Sequence, residues 1–352
     1  AAKFYETNII YPQNGTMYPR QVELSDGTLL VAVSPRYGGA WVGKPVFPVF
    51  QSKDHGVTWK WISNITDTVN GNGMSAQPAL LQLSKKFGKY PKGTILASGN
   101  SWNSTSTNID VYASRDGGFH WEFVSNVARG TQPDTSDTGN PIWEPYLLEL
   151  EDKIVCYYSD QRDPLQSQKL AHQVSKDLLT WGSVVNDVAY GNFSYRPGMT
   201  VIAHLPNKKW ILVYECPFCF DALPDTYPVY YRIASSPLEF QKAVGHKIVI
   251  QNNPTTKPNA SPYVVWTPAG GKDGTIIVSD ADHSSVFTNR HLGAVDKWEE
   301  HSTPQTDAYS RALHILKDYP DHLLIIGGGS YNTPKPLSVS SIDVNKLVKA
   351  KP

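Results

Sequence analysis

Six near-continuous apolar runs punctuate the chain at similar intervals: Gly27–Ser34, Gly93–Asn100, Asp152–Ser159, Lys208–Glu215, Gly274–Ala281 and Asp321–Gly328. They are rich in β-branched and aliphatic residues and do not alternate with polar ones, which predicts strands covered on both faces. A shorter stretch that opens on a polar residue precedes each run. These openings are Arg20-Gln-Val, Gln77-Pro-Ala, Glu144-Pro-Tyr, Arg196-Pro-Gly, Ser261-Pro-Tyr and Arg311-Ala-Leu. Helical periodicity is almost absent. A short C-terminal helix within Asp343–Lys349 is the one exception, and Phe4–Ile10 reads as an additional strand.

A second pattern lies between the runs. Ser52-Lys-Asp54-His-Gly56-Val-Thr58-Trp59 matches Ser114-Arg-Asp116-Gly-Gly118-Phe-His-Trp121, and Ser175-Lys-Asp177-Leu-Leu-Thr180-Trp181 is a shortened third copy. A trace remains at Ser235–Phe240, and Trp298 follows it, so the motif recurs about every 60 residues. Its chemistry is that of a turn: Asp accepts backbone N–H groups, Gly takes a positive φ and Trp packs between sheets. It resembles the Asp box of sialidase-like proteins, in which the box joins strands of propeller blades and has no catalytic role. Six units of four strands predict an all-β, six-bladed β-propeller spanning 1–352, with Phe4–Ile10 closing the last blade.

Composition narrows the function. Net charge is zero among 352 residues and no apolar run approaches membrane length, so neither nucleic acid nor membrane is an expected partner. Ten Trp and 19 Tyr against 3 Met suit a surface on which sugar rings stack. Sequons at Asn14, Asn64, Asn103, Asn192 and Asn259, with a start at Ala1 rather than Met, fit a secreted, N-glycosylated chain. Of three cysteines, Cys156 reads as a core thiol; Cys216 and Cys219 read as a local bridge or as a Cys-x-x-Cys redox pair.

In a propeller the inner strands line the axis. The six opening residues Arg20, Gln77, Glu144, Arg196, Ser261 and Arg311, with Ser34, Asn100, Ser159, Glu215, Ala281 and Gly328 from the second strands, are therefore expected around the axial pocket. Glu144 precedes Pro145, which predicts extended backbone there. Two acids in one pocket suit glycoside hydrolysis, one protonating the leaving oxygen while the other attacks or activates water. A structural ion-pair cluster of Glu144 with Arg20 or Arg196 is the alternative. Trp102, Trp143, Tyr146, Tyr195 and Tyr331 are candidate sugar platforms, and the polar Arg129–Asn140 loop is a candidate cleft wall.

Together, the length, the Asp boxes and the Trp143-Glu144-Pro145 and Val213-Tyr214-Glu215 contexts resemble family-93 glycoside hydrolases, the fungal exo-α-1,5-L-arabinanases. The resemblance covers essentially the whole chain. It implies a retaining exo-hydrolase that releases arabinobiose from the non-reducing end of linear arabinan, acts as a monomer and needs no metal or cofactor. Glu215 would be its nucleophile and Glu144 its acid/base. Substrate contacts would come from Arg20, Gln77, Asn100, Trp102, Trp143, Arg196, Arg311 and Tyr331. A sialidase is the alternative enzyme, with Arg20, Arg196 and Arg311 as a carboxylate-binding triad and Tyr309 or Tyr331 as nucleophile. A non-catalytic carbohydrate-binding propeller is the third reading. The calcium-dependent arabinanases have five blades, one fewer than the six units counted here.

Overall fold

A computed structural model describes residues 1–34 and 43–352. It contains six four-stranded antiparallel sheets, the blades of a six-bladed propeller. Blades 1 to 5 each use four strands consecutive in sequence, their inner strands being Met17–Glu23, Ala76–Gln82, Ile142–Leu150, Gly198–His204 and Tyr263–Thr267. Blade 6 takes Ala312–Leu316, Tyr319–Gly329 and Pro334–Asp343, and its outer strand is the N-terminal Tyr5–Asn14. The ring is closed by that pairing, as the sequence predicts. The helix is shorter than the sequence pattern allows, Val344–Leu347, with Asp343 capping it through the Asn345 N–H.

The second strands, which carry the apolar runs, are buried almost throughout. Their side chains meet those of the neighbouring blades, so the core forms a ring of inter-sheet layers. Cys156 is one of these buried side chains, and Cys216 and Cys219 are joined as a local disulfide.

The Asp boxes form as their residues dictate. Ser52 Oγ accepts the Gly56 N–H at 2.8 Å and donates to Asp54 Oδ1, which accepts the Thr58 N–H at 2.8 Å. The same bonds recur with Ser114, Asp116, Gly118 and His120. In the third copy Leu178 stands at the glycine place with φ 69°, its N–H still on Ser175 Oγ. The boxes also join blades, since Trp121 Nε1 donates to Ser63 and Trp181 Nε1 to Ser125 on preceding outer strands. The trace at Ser235–Phe240 is no Asp box but leads into a short 3-10 turn at Phe240–Lys242. In blade 5 Asn289 Oδ1 does the serine's work, accepting N–H bonds from His291 and Gly293.

A bulge marks the inner strands of blades 1 to 4, between Met17 and Arg20, Ala76 and Ala79, Trp143 and Tyr146, and Gly198 and Val201. The residue turned by it has positive φ: Tyr18 at 55°, Gln77 at 68°, Glu144 at 59° and Met199 at 65°. Ser261 and Ser310, each two positions before its inner strand, complete the ring at 38° and 54°. Glu144 is thus not extended, contrary to what Pro145 alone predicts.

Asp54 contributes nothing to the axis, so its removal tests the turn alone. Asp54→Ala is expected to cost about 1–2 kcal/mol, read as a lower urea midpoint, and to leave the far-ultraviolet circular dichroism of the native state unchanged.

Candidate active site

The starts of the inner strands open into a cleft of about 600 Å³, and their far ends surround a separate cavity at the opposite mouth of the channel. Glu144 and Glu215 both line the cleft, with Gln77, Trp102, Trp143, Arg196 and Tyr331 of the residues named from sequence. Pro133 and Thr135 from the Arg129–Asn140 loop form part of its wall.

Each acid is fixed by the bulge ring. The Glu144 N–H donates to Gln77 Oε1 at 2.8 Å, and Glu144 Oε1 accepts from Ser159 Oγ at 2.9 Å. Ser159 Oγ in turn accepts the Met199 N–H at 3.3 Å, which directs its own proton toward Glu144. Glu215 Oε1 accepts the Ser261 N–H at 2.9 Å. Between the two acids stands Gly198, paired with Glu215 across the sheet. A Cβ built there would lie 3.8 Å from Glu144 Oε1, 3.8 Å from Glu215 Cγ and 3.0 Å from Gln168 Nε2. The missing side chain is what leaves room between the carboxyl groups.

Burial raises both carboxyls, and their neighbours differ. Burial, then the charge of Glu215, pushes the Glu144 pKa up to about 8, against the opposing effects of Ser159, Arg196 and Arg20. Burial also raises Glu215, but a charge-stabilising backbone N–H and Arg196 work against it. Arg196 Nη2 donates to Gln161 Oε1 at 2.6 Å, and Nη1 is buried without a partner.

Gln161 and Gln168 are functional candidates that sequence reasoning missed. Gln161 Oε1 also accepts from Trp143 Nε1, and Gln161 Nε2 reaches the carbonyls of Asp134 and Ser136, so one amide ties Arg196, Trp143 and the wall loop together. Gln168 lines the cleft; its Nε2 is held by Pro197 O and its Oε1 is buried without a partner. Neither glutamine lies in the inner or second strand interiors that the repeat makes legible.

Three of the eight sequence-chosen contact residues lie elsewhere. Arg20 is two positions past the bulge, and its guanidinium is held by Pro19 O and by Ser310, stacked 4.1 Å from the Tyr18 ring and facing the opposite cavity. Arg311, one position past Ser310, is fully buried on the carbonyls of Ser284, Ser285, Gln305 and Thr306. Asn100 is spent on a blade joint, donating to Ile142 O and accepting the Asn108 N–H. The bulge shifts the count along the inner strand, which is why the arginines miss the cleft. Tyr146 also faces the far cavity, and Tyr195 packs on Tyr190 and Phe220.

Aromatic rings close the side of the cleft away from the acids. Trp102 and Trp143 meet edge to face at 5.7 Å and Tyr309 packs on Tyr331 at 4.8 Å. A recess of about 40 Å³ behind them is lined by Met17, Tyr18, Ser34 and Ala76. Burial holds the Tyr309 hydroxyl well above the usual phenol range, with Tyr331, Glu144 and Tyr18 adding to it. Among the described residues, no three His, Cys, Asp or Glu side chains gather to hold a metal ion.

Gly198→Ala is expected to lower kcat/KM by about 10²-fold, because the added methyl crowds Gln168 and both acids. Steady-state kinetics beside an unchanged thermal midpoint check this.

No protein-family model and no curated protein sequence matches the chain. Solved structures do. An α-L-arabinofuranosidase of family GH93 from Fusarium graminearum, in complex with arabinobiose, is 42% identical with a TM-score of 0.92, covering 98% of this chain and 99% of that one. The α-L-arabinanase of Penicillium chrysogenum, also with arabinobiose, is 38% identical at the same TM-score and coverage. A sialidase of Streptococcus pneumoniae, 11% identical with a TM-score of 0.64 over 97% of this chain and 71% of that one, shares the propeller fold. At such identity over nearly full length, the chain belongs to glycoside hydrolase family 93.

Proposed function

We propose that the protein is a retaining exo-hydrolase of linear α-1,5-L-arabinan that releases arabinobiose from the non-reducing end. The carrying observation is the pair of buried acids flanking Gly198, Glu144 pushed up to about 8 and Glu215 accepting a backbone N–H from Ser261. Arabinobiose bound to two relatives of near-identical fold supports the substrate class. Retention requires carboxyl groups about 5–5.5 Å apart, a separation compatible with the one point that lies 3.8 Å from both Glu144 Oε1 and Glu215 Cγ.

In the first step Glu215 attacks the anomeric carbon while Glu144 gives its proton to the departing oxygen. A glycosyl ester and the shortened chain result. Glu144, now a carboxylate, takes a proton from water; the hydroxide adds to the same carbon, and Glu215 leaves as a carboxylate. Arg196 and Gln168 line the cleft and would meet the bound sugar. A sialidase reading is disfavoured, since Arg20 and Arg311 are committed away from the cleft and the Tyr309 hydroxyl resists ionisation.

Product analysis on linear arabinan beside a sialoside tests the assignment. Arabinobiose as sole product supports it, and released sialic acid with intact arabinan overturns it. Glu144→Ala and Glu215→Ala should each lower kcat by about 10³-fold or more. Azide should rescue Glu215→Ala through a glycosyl azide of inverted configuration and Glu144→Ala through one of retained configuration.

The working acid must be protonated, so kcat/KM should fall as pH rises through about 8, where Glu144 ionises. With an activated aryl leaving group that alkaline limb should vanish in Glu144→Ala. We also propose that the chain is secreted and glycosylated. Asn14, Asn64, Asn103 and Asn192 are exposed, whereas Asn259 is half-buried and engaged by Asp282 and the Tyr227 N–H. Glycopeptide mapping of protein secreted from a fungal host should find Asn259 bare.

A further inference from the structure

Six large apolar side chains stand exposed on three neighbouring loops along one wall of the cleft. Leu165, Phe193, Phe218, Phe220, Leu223 and Tyr227 are each between 41% and 71% exposed. Hydrogen bonds and ring contacts make the loops one surface: the Ser167 N–H donates to Phe193 O, the Arg196 N–H to Pro217 O, and Phe220 packs 4.9 Å from Tyr195. Tyr227 belongs to this surface and to the cleft lining alike. An apolar patch continuous with a binding cleft marks an interaction site.

The outward rings are built in at a cost. Phe218 and Phe220 have φ 65° and 51°, a region where a bulky side chain is a genuine outlier and where a plain connecting turn takes Gly or Asn. The Cys216–Cys219 disulfide brackets Phe218, and the Cys216 N–H bonds to Pro228 O, so the turn is clamped at both ends immediately after Glu215. On the opposite side the cleft ends in the small aromatic recess behind Tyr309 and Tyr331. Among the described residues, the acids therefore stand between a narrow recess and an open apolar wall.

We propose that Phe218, Phe220 and Leu223, with Tyr227 at the cleft edge, bind the neutral pentose chain on the leaving-group side of the scissile bond. Sugar C–H faces pack on exposed aromatic rings without needing charge. The inference rests on the exo-hydrolase reading above, because it takes the narrow recess for the chain terminus and the apolar wall for the rest of the polymer.

The test compares long linear arabinan with arabinotriose, using the whole enzyme and the double variant Phe218→Asn/Leu223→Ser. Asn tolerates the left-handed backbone, so the ring is removed without adding strain. KM for the polymer should rise about five- to tenfold, while kcat on it and both constants for the trisaccharide stay within about twofold. Phe220→Asn should behave the same way and serves as the second variant if the first does not fold. Parallel losses on both substrates, or an unchanged polymer KM, overturn the proposal. So does a wild-type dimer in sedimentation analysis that the substitutions dissolve, since the patch would then cover a second copy. A wild-type enzyme that cleaves neither substrate rejects the exo-hydrolase reading itself, and this proposal with it.

Discussion

Everything near the axis hangs on one backbone device, the inner-strand residue turned to positive φ whose N–H leaves its own sheet and bonds to the blade before it. Glu144 donates to Gln77, Met199 to Ser159, Ser261 to Glu215 and Ser310 to Ser261. Left-handed backbone costs about 1–2 kcal/mol for an L-residue, and each joint offsets that by satisfying a buried donor. All four accepting residues hold or constitute the acids: Gln77 and Ser159 bond to Glu144, Ser261 bonds to Glu215, and Glu215 is one itself. The joint between blades 4 and 5 is itself made by Glu215, so architecture and chemistry share one oxygen atom.

That sharing explains how two buried carboxyls differ. Glu215 receives a peptide N–H, a donor that favours the anion. Glu144 instead uses its own peptide N–H to fix its backbone, and its carboxyl meets a hydroxyl that already accepts from Met199. Arg196 acts on both acids, so what sets Glu215 apart is its peptide N–H, a donor to the anion that the Glu144 carboxyl does not receive. The acids lie on adjacent blades at different strand positions, Glu144 on a bulge and Glu215 at a second-strand end, and this offset gives them different donors.

Local turn chemistry was legible in the sequence. Ser52, Asp54 and Gly56 bond among themselves, so their pattern survives in any surroundings, and its spacing together with the six apolar runs yields six blades. The positions of Glu144 and Glu215 followed from the same count. It failed for Arg20, Arg196 and Arg311 as equivalent slots because the bulge shifts the register, and nothing in a polar residue followed by Pro or Ala says where that shift falls. Arg196 still reaches the cleft from the loop ahead of blade 4, while Arg20 and Arg311 point away. Gln161 and Gln168 were invisible for another reason: their roles arise from contacts between blade 3 and loops distant in sequence. Cys216 and Cys219 left two readings open, and only the geometry of the turn after Glu215 selects the bond.

The closing of blade 6 by Tyr5–Asn14 bears on how the chain assembles. Its partner strand, Pro334–Asp343, is made after the strands of five other blades, so Tyr5–Asn14 waits through their synthesis with its backbone unpaired. An unpaired strand is an aggregation hazard while it waits. This one carries Pro12 and several charged or amide side chains, and its burial is slight even when docked. The sequence that completes the ring is thus also one suited to remaining soluble before the ring exists.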